Sequence, residues 1–229
     1  MAVLYEDESA RTVVCSDMIL NVVKPNTMVP QGRIVSLDKC LRSVISSNIE
    51  GDFVECGTWR GGLAALMLYY LIKNNLSKKL HIFDTFKGMP EPGMKDDARA
   101  IAKYNQKRDG EFSDWCRADI DTVKRTLSKV SPNFRTRCEL IEGMVEQTLD
   151  QCNISTIALC RVDTDWYEST KKEFEVLYPK ISLGGYMIVD DYSDWGGCKL
   201  AVDEYLSTLD PNSYETHLAV GSIVIKRIR

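Results

Sequence analysis

The feature that most constrains the fold is a series of short apolar runs that alternate with helical segments. The apolar runs predict five strands, at residues 52–57, 81–84, 138–143, 156–163 and 184–191. The segments around them predict helices at residues 34–48, 63–75, 123–130, 170–178 and 198–209. Because the strands are almost continuously apolar and helices separate them, they predict an α/β protein whose parallel sheet is covered on both faces.

Three segments of the chain do not follow this alternating pattern. YETHLAVG and SIVIKRI, which meet at Gly221, predict a final antiparallel strand pair. Residues 1–30 read as irregular, and residues 94–117 are charged and show no periodicity. The chain has 229 residues and neither a repeat nor a long linker, so we expect a single domain.

Composition excludes several classes of protein. Twenty-nine basic and 33 acidic residues give a net charge of −4, which disfavours a nucleic-acid-binding face. No apolar run approaches the roughly 18 residues that span a bilayer, and the N-terminus MAVLYEDESART lacks a secretory signal pattern. The eight cysteines form no Cys-x-x-Cys pair and mostly have apolar neighbours, as expected for reduced cysteines. We therefore expect a cytoplasmic protein.

Every predicted strand brings a carboxylate to its carboxyl end. These residues are Glu55, Asp84, Glu142, the pair Asp163 and Asp165, and the pair Asp190 and Asp191. In a doubly wound sheet the carboxyl ends share one edge, and ligands bind there where the strand order reverses. Because buried carboxylates are costly unless they are paired or metal-bound, this edge is the predicted site. Histidine is scarce, with only His81 and His217, so we expect a carboxylate as general base.

The segment ECGTWRGG links the first strand to a helix. Gly57 permits a sharp turn, while Gly61 and Gly62 would let a ligand approach the backbone at the helix start. The segment is not a G-x-G-x-x-G fingerprint, and Glu55 before the turn suits an ammonium group rather than a phosphate. Asp84 at the end of the second strand can accept ribose hydroxyls. Together these features favour S-adenosylmethionine (SAM), with a glycine turn that serves packing alone as the alternative.

The second motif is DTDWYEST, with the pair Asp190 and Asp191 at the end of the neighbouring strand. Asp163 and Asp165 are two residues apart, so they point to one face of a strand. Carboxylate-only ligation suits a hard cation such as Mg²⁺, with Mn²⁺ or Ca²⁺ as variants. The alternative is that these aspartates only form strand-end turns.

Other residues near these motifs have more than one reading. Trp59, Trp166 and Trp195 each lie beside a strand-end motif, where they could wall a sugar or adenine site or simply pack. Thr170-x-x-Glu173 has the pattern of a capping box that starts a helix.

Taken in order, DFVECGTWRGG, FDTFKGMPEP, DTDWYEST and YPKISLGGYMIVDDYSDWGGCKLAVDEY resemble the macrocin O-methyltransferase (TylF-type) family over residues 26–209. The resemblance implies a class I SAM-dependent methyltransferase fold with a mostly parallel seven-stranded sheet that ends in a reversed hairpin. It implies transfer of a methyl group from SAM to a sugar hydroxyl with the help of Mg²⁺. It also implies a sugar-containing acceptor and a homodimer.

The resemblance also assigns residues to roles. Asp163, Asp190 and Asp191 become metal ligands, and Asp165 becomes the candidate catalytic base. The residues predicted to contact SAM are Thr27, Met28, Glu55, Gly57, Thr58, Arg60, Gly61, Asp84, Thr85, Phe86, Gly143 and Asp163. Residues 1–33 are expected to close over the cofactor or acceptor, and residues 94–117 to form a variable insertion on the acceptor side.

Three alternatives remain at this point. Asp163-x-Asp165 also resembles the metal motif of nucleotide-sugar glycosyltransferases, and a catalytically silent SAM-binding module would share the glycine turn. A NAD-dependent oxidoreductase is disfavoured, since the three-glycine spacing is missing and no Tyr-x-x-x-Lys pair follows the fourth strand.

Overall fold

The computed structural model describes residues 17–229 and contains one seven-stranded sheet and one small three-stranded sheet. The strands of the large sheet are β1 (Asp52–Cys56), β2 (Leu80–Asp84), β6 (Cys138–Glu142), β7 (Ile157–Val162), β8 (Ile181–Val189), β9 (Tyr214–Ala219) and β10 (Ser222–Arg227). The small sheet pairs β3 (Met89–Pro90), β4 (Arg108–Asp109) and β5 (Phe112–Ser113).

The order of the large sheet is β6-β2-β1-β7-β8-β10-β9. The first five strands pair in parallel, whereas β10 pairs antiparallel with both β8 and β9. The predicted mostly parallel sheet with a C-terminal hairpin is therefore confirmed. The chain moves outward from β1 in both directions, which creates a crevice beside the carboxyl end of β1.

Eight α-helices surround the two sheets within residues 17–229. They are α1 (Asp17–Val23), α2 (Gln31–Ser46), α3 (Gly62–Lys73), α4 (Ala98–Gln106), α5 (Ile120–Val130), α6 (Val145–Thr148), α7 (Tyr167–Leu177) and α8 (Gly196–Leu206). The alternation of side chains along each strand divides the core into two layers. Phe53 faces a layer completed by α1, α2, α3 and α5, whereas Val54 faces a layer completed by α6, α7 and α8.

Burial explains why the central elements were predictable. All six residues of β7 are buried, because it lies inside the sheet with helices on both faces. Nine of the twelve residues of α3 are buried, consistent with its almost wholly apolar sequence. No helix within residues 17–229 is long and apolar enough to cross a membrane.

The prediction that residues 1–30 are irregular is wrong for the part that the structure describes. Residues 17–23 form α1, and a short 3₁₀ turn follows at Lys24–Asn26. Ile19 and Val23 are buried in the layer beneath α3, so tertiary packing stabilises a helix too short to be evident from the sequence. The segment before residue 17 lies outside the described residues.

Residues 94–117 are also more regular than predicted. They contain α4, and Asp97 caps this helix by accepting a hydrogen bond from the backbone N–H of Ala100 at 2.8 Å. Ala100 and Tyr104, one turn apart, are its buried residues. Most other positions of α4 are polar, so the apolar stripe is too narrow to be recognised as a period.

Helix α7 begins three residues before its predicted start. Trp166 precedes its first turn and makes no side-chain capping bond. The capping-box reading of Thr170 and Glu173 is therefore wrong, because both residues lie inside the helix and are fully buried.

Candidate active site

A cavity of about 840 Å³ opens at the carboxyl ends of the parallel strands. Gly57, Asp84, Gly143, Asp163 and Asp191 line it, one from the end of each of β1, β2, β6, β7 and β8. Its volume lies in the range of ligand sites, about 300–1,000 Å³. The cavity thus lies at the edge of the sheet where the strand-end carboxylates were predicted to converge.

The glycine turn after β1 is built for close packing. Gly57 has φ = +78°, and a Cβ there would lie 2.1 Å from the backbone oxygen of Asp163. Gly61 caps α3 with φ = +79°, and a Cβ on it would approach Val123 at 3.0 Å. A Cβ on Gly62 would lie 2.5 Å from the backbone oxygen of Asn26. The space that a side chain would need at Gly61 and Gly62 is thus occupied by α5 and by the turn after α1. Neither glycine lines the cavity, and the predicted approach of a ligand to their backbone stays a prediction.

Glu55 is fully buried and does not line the cavity. It accepts a hydrogen bond from Thr58 Oγ1, and Arg161 Nη1 donates to its Oε1 at 2.9 Å. Burial raises the pKa of Glu55 to about 7. The structure therefore engages Glu55 with protein groups, and its predicted contact with the ammonium group of SAM stays a prediction.

Asp84 lines the cavity at the end of β2. Its Oδ2 accepts the backbone N–H of Thr58 at 2.7 Å and that of Trp59 at 3.2 Å, while its Oδ1 accepts the N–H of Phe86 at 2.8 Å. Burial raises the pKa of Asp84, and these backbone bonds oppose the rise. These bonds occupy both lone pairs of Oδ2, so the carboxylate is held in place and at most one lone pair of Oδ1 stays free for a ligand.

Asp163, Asp165 and Asp191 form a cluster, which we call the carboxylate trio. Each offers an oxygen atom, and these atoms lie within 4.8 Å of one another. Asp191 is hydrogen-bonded to both other carboxyl groups. Burial and, after it, the charge of Asp163 raise the pKa of Asp165 to about 8. Carboxyl groups in such contact require either shared protons or a cation between them.

Asp190 is not brought into the trio. It is buried and does not line the cavity, and its Oδ2 accepts from Arg161 Nη2 at 2.6 Å. The same Nη2 donates to Asp163 Oδ2 at 2.6 Å. Asp190 therefore shares an arginine with the trio, and its predicted role as a metal ligand stays a prediction.

Backbone strain marks the same region. Asp165 has φ = +71°, Trp59 has φ = +49° and Phe86 has φ = +52°. Such left-handed conformations are uncommon for residues other than glycine and cluster at functional sites. At Asp165 this conformation turns the chain away from the direction of β7. The Asp165 side chain therefore lies close to those of Asp163 and Asp191.

The other residues predicted to contact SAM divide into two groups. Met28, Thr85 and Gly143 line the cavity. Thr27, Thr58, Arg60 and Phe86 do not. Arg60 is exposed and its guanidinium lies 4.8 Å from the ring centre of Trp59, which does line the cavity. Their assignments stay predictions.

Sequence reasoning missed two arginines that organise the site. Arg161 interrupts the apolar run of β7, and an arginine inside a buried strand is a signal that could have found it. Arg33 of α2 lies 3.6 Å from Asp191, forms an ion pair with Asp194 and donates to the backbone oxygen of Val220 at 3.0 Å. No sequence pattern marks Arg33.

A second wall of the cavity is aromatic. Trp115 and Trp195 line it, and Trp166 packs behind them, with ring centres 5.4–6.0 Å apart. Trp166 Nε1 donates to the backbone oxygen of Pro90 at 2.9 Å. Trp195 was predicted to wall a ligand site or to pack, and it does both. Trp115 was missed because it lies in the segment without periodicity.

Comparison with known proteins identifies the family. Residues 10–212 match the family model of macrocin O-methyltransferase (TylF). The chain belongs to this family. It is therefore a SAM-dependent O-methyltransferase, as the resemblance in the sequence implied, and the family membership decides against the glycosyltransferase and silent-module alternatives.

Curated relatives of this methyltransferase come from antibiotic producers. Demethyldecarbamoylnovobiocin O-methyltransferase of Streptomyces niveus is 35% identical over 192 residues, covering 81% of this chain and 69% of the relative. An 8-demethyl-8-(2,3-dimethoxy-alpha-L-rhamnosyl)-tetracenomycin-C 4'-O-methyltransferase of Streptomyces olivaceus is 30% identical, covering 79% of this chain and 67% of the relative.

Solved structures agree with the fold. The O-methyltransferase NovP superposes with a TM-score of 0.75 at 32% identity, covering 89% of this chain and 83% of NovP. The calicheamicin methyltransferase CalS11 superposes with a TM-score of 0.62 at 18% identity, covering 99% of this chain and 98% of CalS11. The class I methyltransferase fold predicted from the sequence is confirmed.

Proposed function

We propose that this methyltransferase transfers the methyl group of SAM to a hydroxyl of a sugar, with Asp165 as the general base and a divalent cation held beside it by Asp163 and Asp191. The observation that carries the proposal is the trio itself, which lines the cavity at the carboxyl ends of the parallel strands. The rhamnosyl acceptor in the name of the Streptomyces olivaceus relative supports a sugar as substrate.

The cavity suits SAM and an acceptor together. Asp84 lies at the position where a carboxylate can accept a ribose hydroxyl, and its backbone bonds leave at most one lone pair, on Oδ1, for it. Thr85, Gly143, Met144 and Val145 continue the lining from there. We assign this side to the cofactor. The side formed by Trp115 and Trp195 is then the acceptor side, which agrees with the predicted role of residues 94–117.

The trio fits a hard divalent cation. Three carboxyl groups within 4.8 Å of one another supply the oxygen donors that Mg²⁺ prefers. In the protein alone burial and, after it, the neighbouring carboxyl groups raise the pKa of each member of the trio, and a cation would relieve that cost. Asp163 and Asp191 would hold it. When bound, the cation would lower the pKa of an acceptor hydroxyl.

Asp165 then performs proton transfer. The acceptor oxygen forms a bond to the methyl carbon while the bond from that carbon to sulfur breaks, and S-adenosylhomocysteine leaves. The proton of the hydroxyl passes to the Asp165 carboxylate. Because Asp165 is 8% exposed, burial makes its carboxylate a stronger base than one in water. General-base assistance of this kind is worth about 10²–10⁴-fold in rate.

Positioning depends on the two arginines. Arg161 bonds Glu55, Asp163 and Asp190, so it fixes the ends of β1, β7 and β8 relative to one another. Arg33 connects α2 to the segment after β8 through Asp191 and Asp194. Both arginines would also limit the negative charge that the trio presents to the cavity.

A methyl-transfer assay tests the proposal. Purified protein is incubated with radiolabelled SAM, Mg²⁺ and a panel of rhamnosides and other glycosides, and label in the glycoside is counted. We expect transfer to at least one glycoside, and no transfer to the same compound with its hydroxyls acetylated. Transfer only to phenols or to proteins would contradict the sugar assignment. The homodimer, the single domain over residues 1–229 and the closing role of residues 1–33 stay predictions.

A further inference from the structure

Helix α4 presents three polar side chains to the acceptor side of the cavity. Arg99, Lys103 and Gln106 all line it. Their spacing of four and then three residues places them on one face of the helix. Two full positive charges therefore border the part of the cavity that the proposed methyl-transfer chemistry does not use.

Neither cation has an acidic partner within ion-pair distance among residues 17–229. The guanidinium of Arg99 lies 4.3 Å from the ring centre of Trp195, and the ammonium of Lys103 lies 5.3 Å from that of Trp115. Contact with an aromatic face holds a cation without neutralising it. By contrast, Arg33, the third cation of the lining, is paired with Asp191 and Asp194.

The helix is fixed to the core at its first turn. Asp97 accepts from the N–H of Ala100 at 2.8 Å and from the N–H of Gly196 at 3.2 Å. Asp96 accepts from the N–H of Tyr167 at 2.9 Å. These bonds join α4 to the starts of α7 and α8. Asp97 bonds to backbone donors and forms no ion pair with Arg99, so the guanidinium keeps its hydrogen-bond donors for a ligand.

The cavity lining therefore carries two groups of opposite charge, the carboxylate trio at the strand ends and the two cations of α4. Resting on the proposed function, we propose that the acceptor sugar carries an anionic group, a phosphate or a carboxylate, which Arg99 and Lys103 bind. The reacting hydroxyl would then lie at the trio, away from the anion. Placed the other way round, the anion would meet carboxylates and be repelled.

Calorimetry with anionic fragments tests this. Protein saturated with S-adenosylhomocysteine is titrated in EDTA, so that no divalent ion links a fragment to the trio. Thymidine diphosphate supplies phosphate and methyl glucuronoside supplies carboxylate, with thymidine and methyl glucoside as their neutral counterparts. We expect one anionic fragment to bind at least fivefold more tightly than its neutral counterpart, and the fragment that binds identifies the source of the charge.

Variants locate the binding to α4. Arg99→Gln and Lys103→Gln should each weaken it at least fivefold, whereas Arg99→Lys, which keeps the charge, should retain most of the affinity. Lys107→Gln is the control, because Lys107 follows the same helix but does not line the cavity. Equal binding of charged and neutral fragments, or unchanged binding in both glutamine variants, would overturn the proposal.

Methyl-transfer and binding measurements together separate this inference from the proposed function. Methyl transfer to neutral glycosides with no preference for anionic ones would leave sugar methylation standing and overturn the anionic subsite. Binding of an anionic fragment through Arg99 and Lys103, with no transfer to any sugar, would support the subsite and contradict the sugar acceptor.

Discussion

The two walls of the cavity are built in different ways. The carboxylate trio lies at the ends of β7 and β8, two central strands of the sheet, and Arg161 holds it from within the sheet. The aromatic and cationic wall comes largely from residues 94–117, a segment whose own apolar cluster is small and which we call the insertion, after its predicted role. In the proposed function the sheet carries the chemistry and the insertion contacts the acceptor.

This difference suggests how such a protein could change its acceptor. The trio depends on strand register, so a shift there would disturb the whole sheet. The insertion is hydrogen-bonded to the core through Lys95, Asp96 and Asp97. Its cavity-facing side chains can therefore vary with little effect on the strands. We expect substitutions in the trio to change turnover, and substitutions in the insertion to change acceptor affinity.

The largest effect is expected at the base. Asp165→Asn should lower kcat by about 10²–10⁴-fold, because the amide cannot take the proton. Affinity for S-adenosylhomocysteine, measured by calorimetry, should stay within about twofold. Asp121→Asn, an exposed aspartate on α5, is the matched control. Turnover of Asp165→Asn within threefold of the wild type would show that another group removes the proton.

The next effect is a pH dependence of stability in the protein without metal. The folded-state pKa of Asp165, about 8, lies above that of the unfolded chain, so its stabilising contribution is present at low pH and lost as pH rises toward 8. Urea unfolding in EDTA should show a loss on the order of 3 kcal/mol between pH 5 and pH 8.5.

Added Mg²⁺ should remove most of that loss, since it stabilises the ionised trio. Asp165→Asn should show a shallower dependence in EDTA. An unfolding free energy that is the same at both pH values, with or without Mg²⁺, would mean that the carboxyl groups of the trio do not interact in solution.

A smaller effect is expected on the insertion side. Trp115→Ala should raise KM for the acceptor about tenfold, since it removes apolar contact worth on the order of 1–2 kcal/mol. Its kcat should stay within about threefold, and Trp115→Phe should restore much of the affinity. A fall in kcat with KM unchanged would place Trp115 in the reaction rather than in acceptor binding.

The smallest effect concerns the attachment of the insertion. Asp97→Ala removes the cap of α4 and should cost about 1 kcal/mol of unfolding free energy, measured by urea denaturation. Ala98→Gly, a substitution at the exposed first residue of the same helix, gives the scale of a purely local change. If Asp97→Ala costs nothing, α4 is held by its apolar contacts alone.

The sheet side of the cavity could be predicted from the sequence, whereas most of the insertion side could not. Strand ends are marked by apolar runs, so Asp163, Asp165 and Asp191 were found without a structure. The partner of Asp190 was not found from the sequence, because its pairing with Arg161 depends on which strands are neighbours. Asp97, before Ala100 and Tyr104, is a sequence signal for the start of α4. The apolar stripe of this helix was too narrow for the helix to be recognised. Cavity-facing residues such as Arg99 became visible only once the helix was placed.

The most direct test of the central claim is a crystal structure with S-adenosylhomocysteine and Mn²⁺, read by the anomalous signal of the metal. The account predicts one strong peak bound by Asp163 and Asp191, with Asp165 beside it and the cofactor on the side of Asp84. A peak elsewhere, or no metal at the trio while the cofactor is bound, would contradict the claim that these carboxylates form the metal-assisted base of the enzyme.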